Sequence, residues 1–308
     1  MTAVLQQAVA LHQAGKLAEA EALYRRILRG GPQADVLHYL GLIEHARGNA
    51  AGAIGRMREA VKLAPGQALF HSNLGALLHE AGRNGEAEAA LRRALELDPG
   101  CARAWNNLGN VLRAEGRSQE AESCYRRMLA FDPASAEAWN NLGGLLHDLG
   151  RREEAEACLR KALALRPGYL KSCFNLGRVL QAAERFEESE VWFRKALGLD
   201  PAFAPAWNSL GDSLKEQGAA RDALACYSRA RSLSPDPGLR WRMATLLPVV
   251  ALSRQELLAW RERFENGVEE LTAAGLKLAD PLAQGGAQSF YLPYHGLNDR
   301  PLLEKLAA

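Results

Sequence analysis

The sequence predicts an all-α fold, a right-handed superhelical solenoid of helical hairpins, and two periodic signals support this prediction. The dipeptide Leu-Gly recurs every 34 residues, and a proline recurs almost in phase with it. A repeat of this length is one helical hairpin, which is too small to bury its own apolar face. The hairpins must therefore stack and share a continuous core. The Leu-Gly glycines are Gly41, Gly75, Gly109, Gly143, Gly177 and Gly211.

The proline signal marks the end of the second helix of each hairpin, because proline cannot continue a helix. Its seven members are Pro32, Pro65, Pro99, Pro133, Pro167, Pro201 and Pro235. Residues 1–236 are therefore predicted to hold seven hairpins.

Small residues recur between the prolines. Glycine stands where the turn inside each hairpin is expected, and alanine stands where the second helix must approach the first closely. These positions are Gly15, Gly48, Gly82, Gly116, Gly150 and Gly218, and Ala20, Ala53, Ala87, Ala121, Ala155 and Ala223. Larger side chains are expected to fill the rest of the core. They are Trp105, Trp139 and Trp207 on first helices, and Tyr24, Tyr125, Phe193 and Tyr227 on second helices.

The combined pattern Trp-x-x-Leu-Gly…Gly…Ala…Tyr…Pro resembles the tetratricopeptide repeat, in seven copies over residues 1–236. The sixth copy departs from the pattern, since Glu184 replaces the turn glycine and Ser189 replaces the crossing alanine. We expect this hairpin to be the least stable of the interior hairpins, because a non-glycine turn and a hydroxyl at a close crossing both cost free energy.

Composition limits the function classes. The net formal charge of this 308-residue chain is only +2, and no apolar run is long enough to span a membrane. The N-terminus has no basic segment of the kind that begins an export signal. The five cysteines form no Cys-x-x-Cys pair, so we interpret them as packing residues of a protein in the reducing cytoplasm, with no metal site.

Basic pairs on the second helices suggest a nucleic-acid surface at first. However, a glutamate precedes each pair by four residues, which is the order that favours an intrahelical ion pair. The stripe is thus largely neutralised, and no nucleic-acid partner is expected. The glutamates are Glu21, Glu88, Glu122, Glu156 and Glu190, and they precede Arg25, Arg92, Arg126, Arg160 and Arg194.

An asparagine precedes Leu-Gly in four consecutive repeats, at Asn73, Asn107, Asn141 and Asn175. First helices line the concave groove of stacked tetratricopeptide repeats, and an amide can pair with both the C=O and the N–H of an extended peptide. These four residues are therefore predicted to bind the backbone of an extended protein or peptide segment. The alternative is that they merely cap or hydrate a polar groove. Neighbouring inward positions hold further amides, including Asn106 and Asn110.

Residues 237–308 no longer follow the repeat. They begin as a partial eighth repeat, residues 238–246. An amphipathic linker helix follows, and Ser253 and Glu256 form the pattern of a capping box at its start. Further on, residues 289–301 read Ser-Phe-Tyr-Leu-Pro-Tyr-His-Gly-Leu-Asn-Asp-Arg-Pro.

The asparagine-lined repeats, Leu247-Pro248 and the Tyr-x-x-Tyr-His-Gly-x-Asn-Asp-Arg segment resemble the bacterial relatives of the protein O-linked N-acetylglucosamine transferases, including Spindly-type proteins. The resemblance implies that the repeats present protein substrates to a glycosyltransferase-like domain, which begins within residues 237–308. It implies a UDP-N-acetylglucosamine or related nucleotide-sugar donor for the full-length family, and it assigns the active-site histidine to His295. Only the beginning of that domain is expected here. We therefore predict no cofactor in this chain and no catalysis by it alone.

The alternative function is a stand-alone tetratricopeptide adaptor that assembles a protein complex without catalysis. Both hypotheses make the chain a protein-binding surface, and a homodimer is compatible with either.

Overall fold

The computed structural model describes residues 3–247 and 253–274, and the part of the chain that it describes is entirely helical outside turns and loops. These residues form sixteen α-helices. They divide into two compact units, with the boundary between Leu145 and Leu146. The predicted all-α fold of stacked hairpins is confirmed.

The first unit contains four complete hairpins. Their helices are α1 (Ala3–Gln13), α2 (Leu17–Leu28), α3 (Ala34–Ala46), α4 (Ala50–Leu63), α5 (Ala68–Glu80), α6 (Asn84–Leu97), α7 (Ala102–Ala114) and α8 (Ser118–Phe131). The boundary between the units falls within the next helix, α9 (Ala136–Asp148).

The second unit continues the same helix order. Its helices are α10 (Arg152–Leu165), α11 (Leu170–Ala182), α12 (Phe186–Leu199), α13 (Ala204–Glu216), α14 (Ala220–Leu233), α15 (Pro237–Thr245) and α16 (Arg254–Ala273). One of the two bonds of the predicted capping box is shown, since the Glu256 backbone N–H donates to Ser253 Oγ at 3.1 Å, while the Glu256 carboxylate pairs with Arg221. The amphipathic face of α16 is buried at Trp260, Phe264 and Val268. This helix packs against α15, where the Cα of Gly267 comes so close that an added Cβ would meet Ala244 Cβ at 2.7 Å.

Small residues make the close helix contacts, as predicted. All six crossing alanines are fully buried. In the fourth hairpin the Tyr125 ring lies directly over Gly109, where an added Cβ would come within 2.5 Å of the ring. Because a side chain larger than hydrogen would collide with that ring, the Leu-Gly glycine lets a large aromatic fill the space between the two helices. The same contact joins Gly177 with Phe193 and Gly211 with Tyr227.

The prediction that the three tryptophans fill the core is wrong in part. Trp105, Trp139 and Trp207 are only half-buried. Each indole N–H donates at 2.9 Å to a proline carbonyl six residues earlier, in the loop that precedes its own helix. The tryptophan therefore fixes the loop between hairpins, because its N–H needs a partner while its ring packs against apolar neighbours.

The outer faces of the second helices carry the predicted ion pairs, and all five glutamates contact the arginine four residues later. Some glutamates also bind an arginine of the next hairpin: Arg117 reaches Glu88 at 2.8 Å, and Arg185 reaches Glu156 at 2.7 Å. These arginines therefore pair with carboxylates of the protein itself, both within one helix and between neighbouring hairpins.

The sixth hairpin, α11 and α12, contains both predicted departures. Glu184 is the only described non-glycine residue with positive φ, at 60°, so the side chain does occupy a left-handed turn. Ser189 is fully buried, as expected for the crossing position. Its hydroxyl donates to Phe186 O at 2.8 Å and lies 2.8 Å from Ser213 Oγ on α13. These partners offset the cost expected for the hydroxyl, and the strain at Glu184 remains.

Candidate functional site

The first unit contains a cavity of about 640 Å³, formed by first helices α3, α5 and α7 with the end of α8 and the start of α9. We call it the amide cavity, because Asn73, Asn106 and Asn107 line it. The apolar residues Leu77 and Met128, both largely buried, also line it, and we call this apolar part of the lining the apolar floor. Most of its lining residues are polar or charged, so it offers more hydrogen-bonding groups than the mainly apolar pockets typical of small-molecule sites.

Asn73 is held from the side by a buried histidine. Its Nδ2 donates to His38 Nε2 at 2.7 Å, and the two side chains are 9% and 4% exposed. Accepting this bond requires an unprotonated Nε2, so the folded protein keeps His38 neutral. Burial is the main cause that lowers the pKa of His38 to about 4, and the nearby Asp35 carboxylate opposes it. Positioning of Asn73 therefore depends on a neutral imidazole.

Asn141 belongs to a network between neighbouring hairpins. Its Nδ2 donates to Asn106 Oδ1 at 3.0 Å and to Asn110 Oδ1 at 3.3 Å. Asn106 in turn donates to Glu137 Oε1 at 3.0 Å, and the Tyr125 hydroxyl donates to Asn110 Oδ1 at 2.7 Å. Both donor hydrogens of Asn141 are therefore used within the protein, so this amide joins α9 to α7.

Asn107 differs from these neighbours. It is half-buried on the wall of the amide cavity, and it makes no side-chain hydrogen bond with the residues that the structure describes. Its carbonyl and both amide hydrogens are available to a ligand. Asn175 is half-buried on α11 of the second unit and is not one of the residues that line this cavity. The four predicted asparagines therefore do not form one set of equivalent groups.

Charged side chains of both signs surround the amides. His45 Nε2 lies 2.5 Å from Glu80 Oε2 on the cavity wall. Arg103 also lines the cavity and is exposed, with no carboxylate partner among the described residues, and Asp132 and Glu137 complete its charged lining. This distribution favours a ligand with both donors and acceptors over one with a large net charge.

The structure also describes four of the five cysteines at buried positions and bears on the metal and membrane expectations. Cys124, Cys158, Cys173 and Cys226 are buried free thiols, as expected for packing residues, and burial raises the pKa of Cys124 to about 11. Over residues 3–247 and 253–274, no cluster of three or more His, Cys, Asp or Glu side chains could hold a metal ion. None of the helices described there combines the length and apolar character needed to cross a membrane. His295 lies outside the described residues.

The sequence alone did not identify His38, Arg103 or the apolar floor as parts of this site. His38 follows no repeated amide pattern, and Met128 lies on a second helix, far along the chain from the asparagines that it approaches. The amides at Asn106 and Asn110 were visible as inward positions, but not their bonds to Asn141.

The helix order, the glycine contacts and the buried alanines define a tetratricopeptide-repeat protein. The family model described as "Cilia and flagella-associated protein 70 C-terminal domain" matches residues 1–206, and the chain belongs to this tetratricopeptide-repeat family. The chain is thus a repeat scaffold. No curated protein sequence matches it.

Solved structures support the same fold. PilF of Pseudomonas aeruginosa is 25% identical, with a TM-score of 0.57 over 67% of this chain and 91% of that chain. The type IV pilus biogenesis factor PilW is 23% identical, with a TM-score of 0.58 over 67% of this chain and 92% of that chain. A chain of the APC/C hetero-tetramer Cut9-Hcn1 is 18% identical, with a TM-score of 0.64 over 89% of this chain and 53% of that chain.

Proposed function

We propose that this scaffold binds an extended polypeptide segment in the amide cavity of its first unit. The observation that carries the proposal is Asn107, an amide without an internal partner on the wall of a cavity whose other amides are held in place. An amide with free donors and a free acceptor can pair with one peptide unit in a bidentate manner. Such a contact reads the backbone of the segment and leaves its side chains to other groups.

The apolar floor supplies part of the affinity that one amide cannot, and the charged groups of the cavity must supply the rest. Two hydrogen bonds contribute about 1–3 kcal/mol net, whereas micromolar binding requires about 8 kcal/mol. Leu42, Leu77 and Met128 give the same cavity apolar lining. Burying one aliphatic or aromatic side chain there adds about 1.5–3 kcal/mol. We therefore expect a segment with one apolar anchor residue, flanked by residues that can meet Arg103 and Asp132.

The test begins with an array of unstructured peptides probed with the whole chain. The best peptide is then labelled, and its affinity for three proteins is measured by fluorescence anisotropy: the unchanged chain, Asn107→Ala, and Gln119→Ala. Gln119 is an exposed amide on α8 of the same hairpin, away from the cavity, and serves as the matched control.

We expect Asn107→Ala to weaken binding by about 5- to 150-fold, because two peptide hydrogen bonds are lost. Gln119→Ala should leave the affinity unchanged, and both variants should keep the helical circular dichroism of the parent. Equal affinity of the parent and Asn107→Ala would remove the amide cavity as the binding site.

The finer hypothesis of substrate presentation to an O-GlcNAc transferase-like domain, with His295 as an active-site residue, rests on the motif in residues 289–301. We propose it as the specific use of the scaffold, with UDP-N-acetylglucosamine or a related nucleotide sugar as the donor in a full-length protein. A stand-alone adaptor uses the amide cavity in the same way, without transfer. Residence in the cytoplasm and formation of a homodimer are further proposals, and the free cysteines are compatible with a reducing compartment.

Transfer of radiolabelled N-acetylglucosamine separates the two uses. Residues 1–308 alone should incorporate no label, and the same repeats in a longer natural product that carries the remaining domain should incorporate it into the selected peptide. Incorporation that persists after His295→Ala in the longer product would remove the role assigned to this histidine.

A further inference from the structure

A second cavity, of about 220 Å³, lies within the second unit among α14, α15 and α16. Three arginines line it, Arg231, Arg240 and Arg263, together with one carboxylate, that of Glu270. We call this cavity the arginine pocket. Neither the peptide-binding proposal nor the repeat pattern uses these residues.

Arg263 is the fixed cation of the pocket. It is partly buried, and its guanidinium lies 4.7 Å from the centre of the Trp260 ring. The guanidinium donates to the backbone carbonyls of Met243 and Leu246 at the end of α15. Its Nε–H is buried and has no acceptor among the described residues.

No described carboxylate forms an ion pair with Arg263, although many arginines of this protein have such a partner, for example Arg117 with Glu88. Burial alone accounts for the lowering of the pKa of Arg263 to about 10. A charge that is removed from water without a counter-ion is costly, so an anion that reaches it is stabilised.

The rim of the pocket adds further positive charge. Arg231 on α14 and Arg240 on α15 are exposed, and neither has an ion-pair partner among residues 3–247 and 253–274. Three arginines and one glutamate give a formal charge of +2 at this pocket. The C-terminal end of α15, which Arg263 contacts, offsets about half a unit of this charge.

We propose that the arginine pocket binds a phosphate monoester. Such a group carries a charge of about −1.5 to −2 near neutral pH, which matches the remaining charge of the pocket. A carboxylate, with a single negative charge, would neutralise only about two thirds of it. A phosphate also offers three acceptor oxygens, enough for guanidinium donors that are carried by three different helices. The exposed rim arginines close on the phosphate from solvent, and Arg263 supplies a fixed positive charge beneath them.

The test uses isothermal titration calorimetry on the whole chain with O-phosphoserine, and with serine as the counterpart that lacks only the phosphate. The pocket variant is Arg231→Gln with Arg240→Gln, since both side chains are exposed and their loss should not disturb folding. The control variant is Arg229→Gln with Arg254→Gln, which removes the same charge from exposed positions of α14 and α16 outside the pocket.

We expect binding of O-phosphoserine but not of serine. The pocket variant should weaken it by about tenfold or more, because charge-assisted hydrogen bonds are lost, and the control variant should leave it nearly unchanged. Equal binding of serine and O-phosphoserine would overturn the proposal. Equal weakening by both double variants would also overturn it, because the effect would then come from overall charge.

Two further titrations distinguish the source of the phosphate. Inorganic phosphate represents a small free anion, and an alanine-based pentapeptide with a central phosphoserine represents a phosphorylated protein segment. Tighter binding of the pentapeptide assigns the pocket to a phosphorylated partner, and equal binding assigns it to a small phosphate compound. Failure of both ligands to bind would overturn the proposal.

Discussion

Replacement of Asn141 by alanine tests whether this amide stabilises the fold, in contrast to Asn107, whose amide is available to a ligand. Asn141 donates to Asn106 and to Asn110, whereas Asn107 makes no side-chain hydrogen bond in the described residues. We therefore expect Asn141→Ala to destabilise the fold. Asn107→Ala should instead weaken peptide binding and leave stability unchanged.

The magnitude follows from what the truncation leaves behind. Asn106 is only 3% exposed, so its Oδ1 would lose its donor in a place with little access to water. A buried acceptor without a partner costs about 1–3 kcal/mol. Asn110 Oδ1 keeps the Tyr125 hydroxyl as a donor, so its loss is smaller. We expect Asn141→Ala to lower the free energy of unfolding by about 2 kcal/mol.

Urea unfolding, followed by far-ultraviolet circular dichroism, measures this difference. Because neighbouring repeats can unfold separately, hydrogen exchange of the amides in α7 and α9 should accompany the global measurement. Asn141→Ala should speed exchange in these helices, and Asn107→Ala should not. Equal stability of both variants and the parent would refute the assignment of Asn141 to the internal network.

Three further changes test other features of the fold, and urea unfolding measures each of them. Gly109→Ala should destabilise the fold by about 1–3 kcal/mol, because the new methyl group would meet the Tyr125 ring. Gly55→Ala, on the exposed face of α4, should instead stabilise the fold by about 0.5–1 kcal/mol. Equal effects of the two changes would argue against the close contact at Gly109. Glu184→Gly should stabilise by about 1 kcal/mol, since it removes a left-handed backbone strain, and a loss of stability would mean that the Glu184 side chain contributes more than its strain costs. Burial lowers the pKa of His38 from 6.5 to about 4, so the unfolded chain binds more protons than the folded chain between these pH values. The free energy of unfolding should therefore fall by about 3 kcal/mol as the pH is lowered through this window. A His38→Phe variant with the same acid sensitivity as the parent would refute this role of His38.

The sequence by itself determined the repeat, its register and its local contacts. The spacing of the glycines, alanines and prolines predicted the hairpins, because each of these residues acts through its own backbone or its own small size. Glutamate and arginine four positions apart predicted the ion pairs for the same reason, since one helical turn brings them together wherever the helix lies. The strained turn at Glu184 was likewise visible as a break in a repeated pattern.

Only the tertiary structure decided what the side chains at one recurring position of the repeat do. Asn73, Asn107 and Asn141 occupy one position of the pattern, yet one bonds to His38, one has no partner among the described residues and one joins two hairpins. The difference comes from the neighbouring hairpin, which presents a different side chain to each amide. That side chain lies about one repeat away along the chain. The arginine pocket has the same origin, because α14, α15 and α16 bring together three cations that are separate in the chain. A period in the sequence specifies where a side chain stands, and the packed neighbours specify which of its hydrogen bonds and charges are already satisfied.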